Sequence, residues 1–271
     1  LALPDLRGAH ALKTERVRGD EPRVETFSTP DTLTQAAAEL FVAASVAAIG
    51  ASGRFAVALS GGSTPRTLYA LLATDPFASR IDWAHVHVFW GDERSVPPSS
   101  PMSNYRMARV ALLARVPLPA ANVHRIRGED EPAAAAAAYE RKLRELFATP
   151  VGEPRTTAGT RFDLVLLGIG EDGHTASLFP GSATIGETRR WVMADDFADV
   201  SMPRVTLTPL VINAASEIVF LVARHEKAAT LKRVLEGPYQ PDVLPAQAIA
   251  PRAGRLRWLV DAEAAADLGA K

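Results

Sequence analysis

Cysteine is absent from the 271 residues, which excludes disulfide frameworks, thiolate metal sites and a cysteine nucleophile together and is compatible with a reducing cytosol. Net charge is nearly absent as well. Thirty basic side chains stand against thirty-one acidic ones, so no global positive field exists to hold a nucleic-acid backbone or an anionic membrane. An anionic ligand must therefore be gripped locally. No apolar run approaches the roughly 18 to 20 residues that span a bilayer, and the first residues lack the apolar centre of a signal peptide. The expectation is a cytoplasmic protein with neither nucleic acid nor membrane as partner. What is present is ordinary: 47% hydrophobic and 23% charged residues, with 18 Gly and 20 Pro, exclude disordered, collagen-like and coiled-coil classes.

Residues 1–22 mix charge, Gly and Pro without periodicity and do not begin with Met, which predicts a tail, flexible or left over from cloning, ahead of a single domain over 23–271. From there β-like and helical patterns alternate. A helix near 31–50, opened by Thr29 and Pro30, precedes a strand at 55–59 and a helix at 65–73. A strand at 86–90 precedes a helix near 103–114, a helix at 131–147 precedes a strand at 162–167, and a strand at 217–223 precedes a helix at 225–236. The last strand lies near 257–260. Several strands are almost unbroken Val/Ile/Leu/Phe runs, the mark of strands covered on both faces by crossover helices. The fold class is therefore α/β, a mostly parallel, Rossmann-like sheet with helices on both faces. The Pro-, Gly- and Thr-rich stretch at 149–160 is expected to be a surface loop, and the alanines of 133–138 a helix.

Ligands of such sheets gather beyond the carboxyl ends of the strands, and three segments follow strands directly. Ser60-Gly61-Gly62-Ser63-Thr64-Pro65 has two glycines for close backbone approach, a Ser63 or Thr64 able to cap the helix, and free N–H groups for an anion. It serves equally as a capped turn without ligand. It lacks the Gly-Lys-Ser/Thr of a nucleotide loop and the Gly-x-Ser-x-Gly of a serine nucleophile. Gly91-Asp92-Glu93-Arg94, followed by Ser103-Asn104-Tyr105-Arg106, sets two carboxylates and a guanidinium at a strand end, suited to hydroxyl and anion binding or to a solvated ion-paired loop.

The third segment runs from Gly168 to Pro180. Its Gly168, Gly170 and Gly173 match a dinucleotide fingerprint, with Asp195 and Asp196 about 20 residues on. Pro180-Gly181 leaves no long apolar helix for a pyrophosphate, which argues against that reading. His174, two residues after Asp172, can present an imidazole to a cleft as a general base. His85 and His87 alternate on one strand face and form a possible metal pair that lacks a third ligand. Arg204, and Lys227 at the start of a helix where its charge opposes the helix dipole, complete the basic candidates.

Taken in order, Leu59 to Pro65, Trp90 to Arg94, Ser103 to Tyr105, Gly168 to Pro180, Arg204 to Thr208 and Lys227-Ala228 resemble the 6-phosphogluconolactonases, within the wider group of sugar-phosphate isomerase and deaminase-like α/β folds. The resemblance implies hydrolysis of 6-phospho-D-glucono-1,5-lactone to 6-phospho-D-gluconate in the oxidative pentose phosphate pathway, without cofactor or metal. It assigns His174 as the base that deprotonates water, and Asp172 as its orienting partner or a hydroxyl ligand. Ser60, Gly61, Gly62, Ser63, Thr64 and Lys227 would hold phosphate, and Arg94 and Arg204 would lie close to the anion, phosphate or oxyanion. Asp92 and Glu93 would bind hydroxyls, and Gly170 would line the substrate site. The implied partner is a phosphorylated sugar lactone, and the chain a monomer or weak homodimer. The related glucosamine-6-phosphate deaminases look to need an acid five residues after the histidine, where this chain has Phe179. A sugar-phosphate isomerase or deaminase and a non-catalytic sugar-phosphate sensor stay as alternatives.

Overall fold

The computed structural model describes residues 23–147, 161–195, 202–251 and 253–269. The expected tail at 1–22, the expected loop at 149–160, and Asp196 lie outside them. Six parallel strands form the main sheet: β1 (Arg23–Phe27), β2 (Phe55–Leu59), β3 (Val86–Trp90), β5 (Leu164–Leu167), β8 (Glu217–Val222) and β9 (Arg255–Asp261), in the order β1-β9-β8-β5-β2-β3. Three short strands, β4 (Asp92–Arg94), β6 (Val192–Asp195) and β7 (Arg204–Leu207), form a separate antiparallel sheet in the order β4-β7-β6. Neither β1 nor this second sheet was expected. Its strands DER, VMAD and RVTL are too short and too polar to show a period.

The unbroken apolar strands behave as their composition demands. FAVAL of β2, LVLL of β5 and EIVFLV of β8 are buried at every position, which requires cover on both faces. Side chains alternate across the sheet. Phe55, on one face, meets Phe41 of helix α1 (Pro30–Ser52) edge to face at 5.2 Å. Phe89, on the other, stacks at 5.8 Å on Phe147, which ends helix α4 (Pro132–Leu146).

Helix α1 opens with Thr29 and Thr32 in a reciprocal capping box and stops at Gly53, whose φ of 73° suits a residue without Cβ. By length and composition this helix could cross a membrane, which corrects the expectation that no apolar run reaches that length. Its Leu33, Ala37, Ala38, Phe41 and Val42 are instead buried in the core that β2 shares. The remaining helices are α2 (Ser63–Leu72), α3 (Asn104–Ala108) with a π turn after it, the short α5 (Pro209–Ile212) and α6 (Ala228–Glu236).

The strand order carries the functional consequence. From β2 the chain steps outward to β3, then returns to place β5, β8 and β9 on the other side of β2. Neighbouring crossovers leave in opposite directions there, and a crevice opens beyond the carboxyl ends of the strands. Gly91 ties the two sheets together, its N–H donating to the Leu59 carbonyl at 2.9 Å and its own carbonyl accepting from the Leu207 N–H at 2.8 Å.

Candidate active site

A cleft of about 270 Å³ lies at that crevice. It is lined by Ser60 to Pro65 after β2, Asp92 and Arg94 of β4, Asn104, Gly168 to Gly170, His174 and Ala176 after β5, and Leu221 to Arg224 with Glu226 and Lys227 after β8. Segments far apart in sequence thus converge on one volume. Ser60, Gly61, Gly62, Ser63, Thr64, Asp92, Arg94, Gly170, His174 and Lys227 all line it, as the sequence predicted. Glu93, Asp172 and Arg204 do not.

The turn after β2 is held from behind. The buried Tyr69 hydroxyl accepts from the Ser60 N–H at 2.9 Å and donates to the Ser60 carbonyl at 2.8 Å, satisfying both backbone groups where the strand leaves the ladder. Gly61 passes so close to the Asn104 amide that a Cβ would overlap it. Helix α2 then starts with Gly62 as N-cap, at φ 106°, and no side chain accepts from its first turn. This corrects the expectation that Ser63 or Thr64 caps the helix. Ser63 and Thr64 line the cleft with no side chain capping their turn, at the end where a helix favours negative charge.

The loop after β5 uses nearly every residue of its motif. The Asp172 carboxylate accepts from the His174 ring Nδ1 at 2.6 Å and from the His174 amide at 3.1 Å. Burial works to raise the Asp172 carboxyl, but these hydrogen bonds and the imidazole charge outweigh it and hold it below its ordinary value. The carboxylate fixes the tautomer, leaving Nε2 as the basic nitrogen. Gly170 lets the ring lie this close, since a Cβ there would collide with the imidazole and with Asp172. Gly173 takes φ 86° and Ala176 φ 49°. Ser177 donates to Asp92 Oδ2 at 2.7 Å, binding the loop to the second sheet. Phe179 packs against the His174 ring at 4.8 Å, so the residue five positions on does sit beside the imidazole. Turns, not a helix, follow the three glycines, and Asp195 lies on β6 hydrogen-bonded to Ser182. A pyrophosphate-binding helix N-terminus is therefore missing from the place where the dinucleotide reading requires it.

Glu93 corrects an expectation. Its side chain is buried and accepts from the N–H groups of Arg94, Asn104 and Tyr105 and from Ser103 Oγ, at 2.8 to 2.9 Å. Both oxygens are occupied in anchoring the start of α3, leaving none for a sugar hydroxyl. Burial outweighs those four bonds and raises the carboxyl. Asp92 is also bonded internally, to Asn104 and Ser177, yet it reaches the cleft wall. Arg94 and Arg204 are register partners across β4 and β7, each with a buried Nε that has no hydrogen-bond partner. Arg204 lies over Phe179, and burial with the neighbouring Arg94 charge lowers its affinity for its proton. His85 and His87, weighed above as a metal pair without a third ligand, find other partners: His85 bonds Asp82, and His87 bonds His124 at 3.1 Å.

Three polar lining residues, Asn104, Arg224 and Glu226, had been given no role by the sequence reading. Asn104 had a signal, the Ser-Asn-Tyr motif itself. Arg224 had none. It adopts φ 85° and ψ 151°, a region that only glycine enters readily and that costs other residues on the order of 1–3 kcal/mol.

The comparisons with known proteins agree on one family. Residues 28–258 match the model of the glucosamine-6-phosphate isomerases/6-phosphogluconolactonase family. The chain belongs to this family. A 6-phosphogluconolactonase from a Nostoc species is 43% identical over 222 residues, covering 82% of this chain and 88% of the relative. The solved 6-phosphogluconolactonase of Trypanosoma brucei superposes with a TM-score of 0.77 at 30% identity, covering 92% of this chain and 99% of that one. A monomeric glucosamine-6-phosphate deaminase shares the fold, with a TM-score of 0.73 at 22% identity, 90% of this chain and 99% of the other being covered.

Proposed function

We propose that the protein is a 6-phosphogluconolactonase, hydrolysing 6-phospho-D-glucono-1,5-lactone to 6-phospho-D-gluconate in the oxidative pentose phosphate pathway. The observation that carries the mechanism is His174, held from behind by Asp172, lining the same cleft as the uncapped first turn of α2 and Lys227. In this reading the phosphate rests on the Ser63 and Thr64 N–H groups and Lys227, which places the lactone ring toward His174. Nε2 of His174 takes a proton from water as the water oxygen bonds to the lactone carbonyl carbon. The carbonyl π pair moves to oxygen, and the nearby Arg94 guanidinium stabilises that oxyanion. Collapse breaks the bond to the ring oxygen, which leaves with the proton from His174. No covalent enzyme intermediate is required.

Phe179 beside the imidazole supports hydrolysis over ring-opening proton transfer, because an aromatic ring there offers no carboxylate to a substrate. The same reading takes the chain to act as a monomer or a weak homodimer. A cytoplasmic location belongs to the same reading, since a phosphate ester of this charge must be hydrolysed in the compartment that makes it. Residues 23–271 would form a single lactonase domain.

The test is hydrolysis of freshly generated 6-phosphogluconolactone with spontaneous decay subtracted. His174→Ala should lower kcat about 10²- to 10⁴-fold, the range of a single positioned base, while 6-phosphogluconate affinity changes little. Equal losses in both would remove the base role from His174, and absence of acceleration by the wild type would end the lactonase reading.

A further inference from the structure

The turn between β8 and α6 places a charged residue where the backbone asks for glycine. Arg224 stands three residues before Lys227 and lines the same cleft. Its positive φ is held from both sides. The Arg224 N–H donates to both carboxylate oxygens of Asp261, each at 3.1 Å, and the Arg224 carbonyl accepts from the Lys227 N–H at 3.1 Å. Asp261 is fully buried and also accepts from the Ala264 N–H at 2.8 Å, so it cannot shift to relieve the turn. The backbone is over-determined, yet the side chain is not. The residue is exposed, and its guanidinium forms no ion pair or hydrogen bond among the described residues, although Glu226 lines the same cleft.

We propose that Arg224 is a second cationic ligand for the phosphate of the substrate, acting beside Lys227 and setting the preference for phosphorylated over unphosphorylated lactones. The proposal rests on the lactonase reading for the identity of that substrate. A phosphate monoester carries about 1.5 to 2 negative charges near neutrality. Lys227 supplies one positive charge, and the Glu171 carboxylate already stands 3.8 Å from its Nζ. A guanidinium fork adds a second charge with two parallel donors, the geometry that suits phosphate oxygens. Glycine at 224 would make the same turn without strain and without that fork. Arg224 lines the same cleft as Ser63, Thr64 and Lys227, the residues that the lactonase reading gives to the phosphate.

Three variants separate the side chain from the strain: Arg224→Ala removes the fork and keeps the strain, Arg224→Gly removes both, and Arg224→Lys keeps only the charge. Calorimetric Kd values for 6-phosphogluconate and for inorganic phosphate are the primary readout. Both should rise about tenfold or more in Arg224→Ala and Arg224→Gly, as for loss of a charge-assisted hydrogen bond, and less in Arg224→Lys. KM for the phosphorylated lactone should rise in step with kcat nearly constant, and Arg224→Gly alone should raise Tm. If both ligands bind Arg224→Gly within about twofold of wild type, the proposal is overturned, whatever Arg224→Ala does to folding. If the wild type proves not to hydrolyse the lactone, the function falls, and the inorganic phosphate Kd still decides Arg224: a tenfold loss supports it and no loss overturns it.

Discussion

At the scale of single residues, the site depends on what is absent from particular side chains. Gly170 lacks the Cβ that would strike the His174 ring, so the imidazole can lie against Asp172 with Nδ1 at 2.6 Å. Gly170→Ala should fold normally, with Tm close to wild type, and lose on the order of 100-fold in kcat, because displacing a reacting group by about an ångström has that effect. A kcat within about threefold of wild type would show that the ring position does not limit the reaction. Glu93 teaches the reverse. A carboxylate adjacent to the cleft residues Asp92 and Arg94 is consumed by four donors of its own protein. Adjacency in sequence does not make a ligand.

At the scale of elements, two strand ends of the site, those of β2 and β3, are each held by a tyrosine from a helix. Tyr69 of α2 bridges the N–H and carbonyl of Ser60, and Tyr139 of α4 does the same for Trp90 at 2.9 and 3.1 Å. Burial pushes both phenols well above their ordinary range, keeping them protonated as donors. Tyr69→Phe leaves two buried backbone groups of the turn after β2 unpaired. It should cost about 1–3 kcal/mol in denaturant stability and raise KM more than it lowers kcat. Unchanged stability would mean that the turn finds other partners.

At the scale of the whole molecule, the cleft exists because the sheet reverses its direction of growth at β2. Asp92 and Arg94 reach the cleft because β4 leaves the main sheet after Gly91 and pairs with β7. The same fold buries a histidine pair away from the site. His124 is pushed down to about 4, by burial first and then by the charges of His87 and Lys142, and His87 is lowered by burial, Arg54 and His85. Burial thus disfavours the charged form of both in the fold, whereas an unfolded histidine titrates near about 6.5. Between these values the unfolded chain binds protons that the fold refuses, so stability should fall as pH descends from about 6.5 toward 4 and be flat with respect to this pair above about 7. Denaturant stability measured against pH should show this slope in the wild type and a shallower one in His124→Gln. An identical slope would place the acid sensitivity in other groups.

The sequence by itself determined five of the six strands of the main sheet and the loops that follow them. Strands at 55–59 and 86–90 were legible to the residue because an apolar run is a local signal, and the 168–180 loop was legible because Gly170, Asp172, Gly173 and His174 meet local geometric demands. The order of the strands, and with it the meeting of Ser63, His174 and Lys227, is consistent with the sequence pattern but is decided by pairing between distant segments. Only the tertiary structure decided the rest. The second sheet is built from three-to-four-residue strands whose pairing is non-local. Glu93 turns inward because α3 arrives beside it from eleven residues away. Arg224 enters the cleft because Asp261, 37 residues on, grips its amide. A backbone torsion and the burial of a charge are properties of surroundings, and no side-chain type states them in advance.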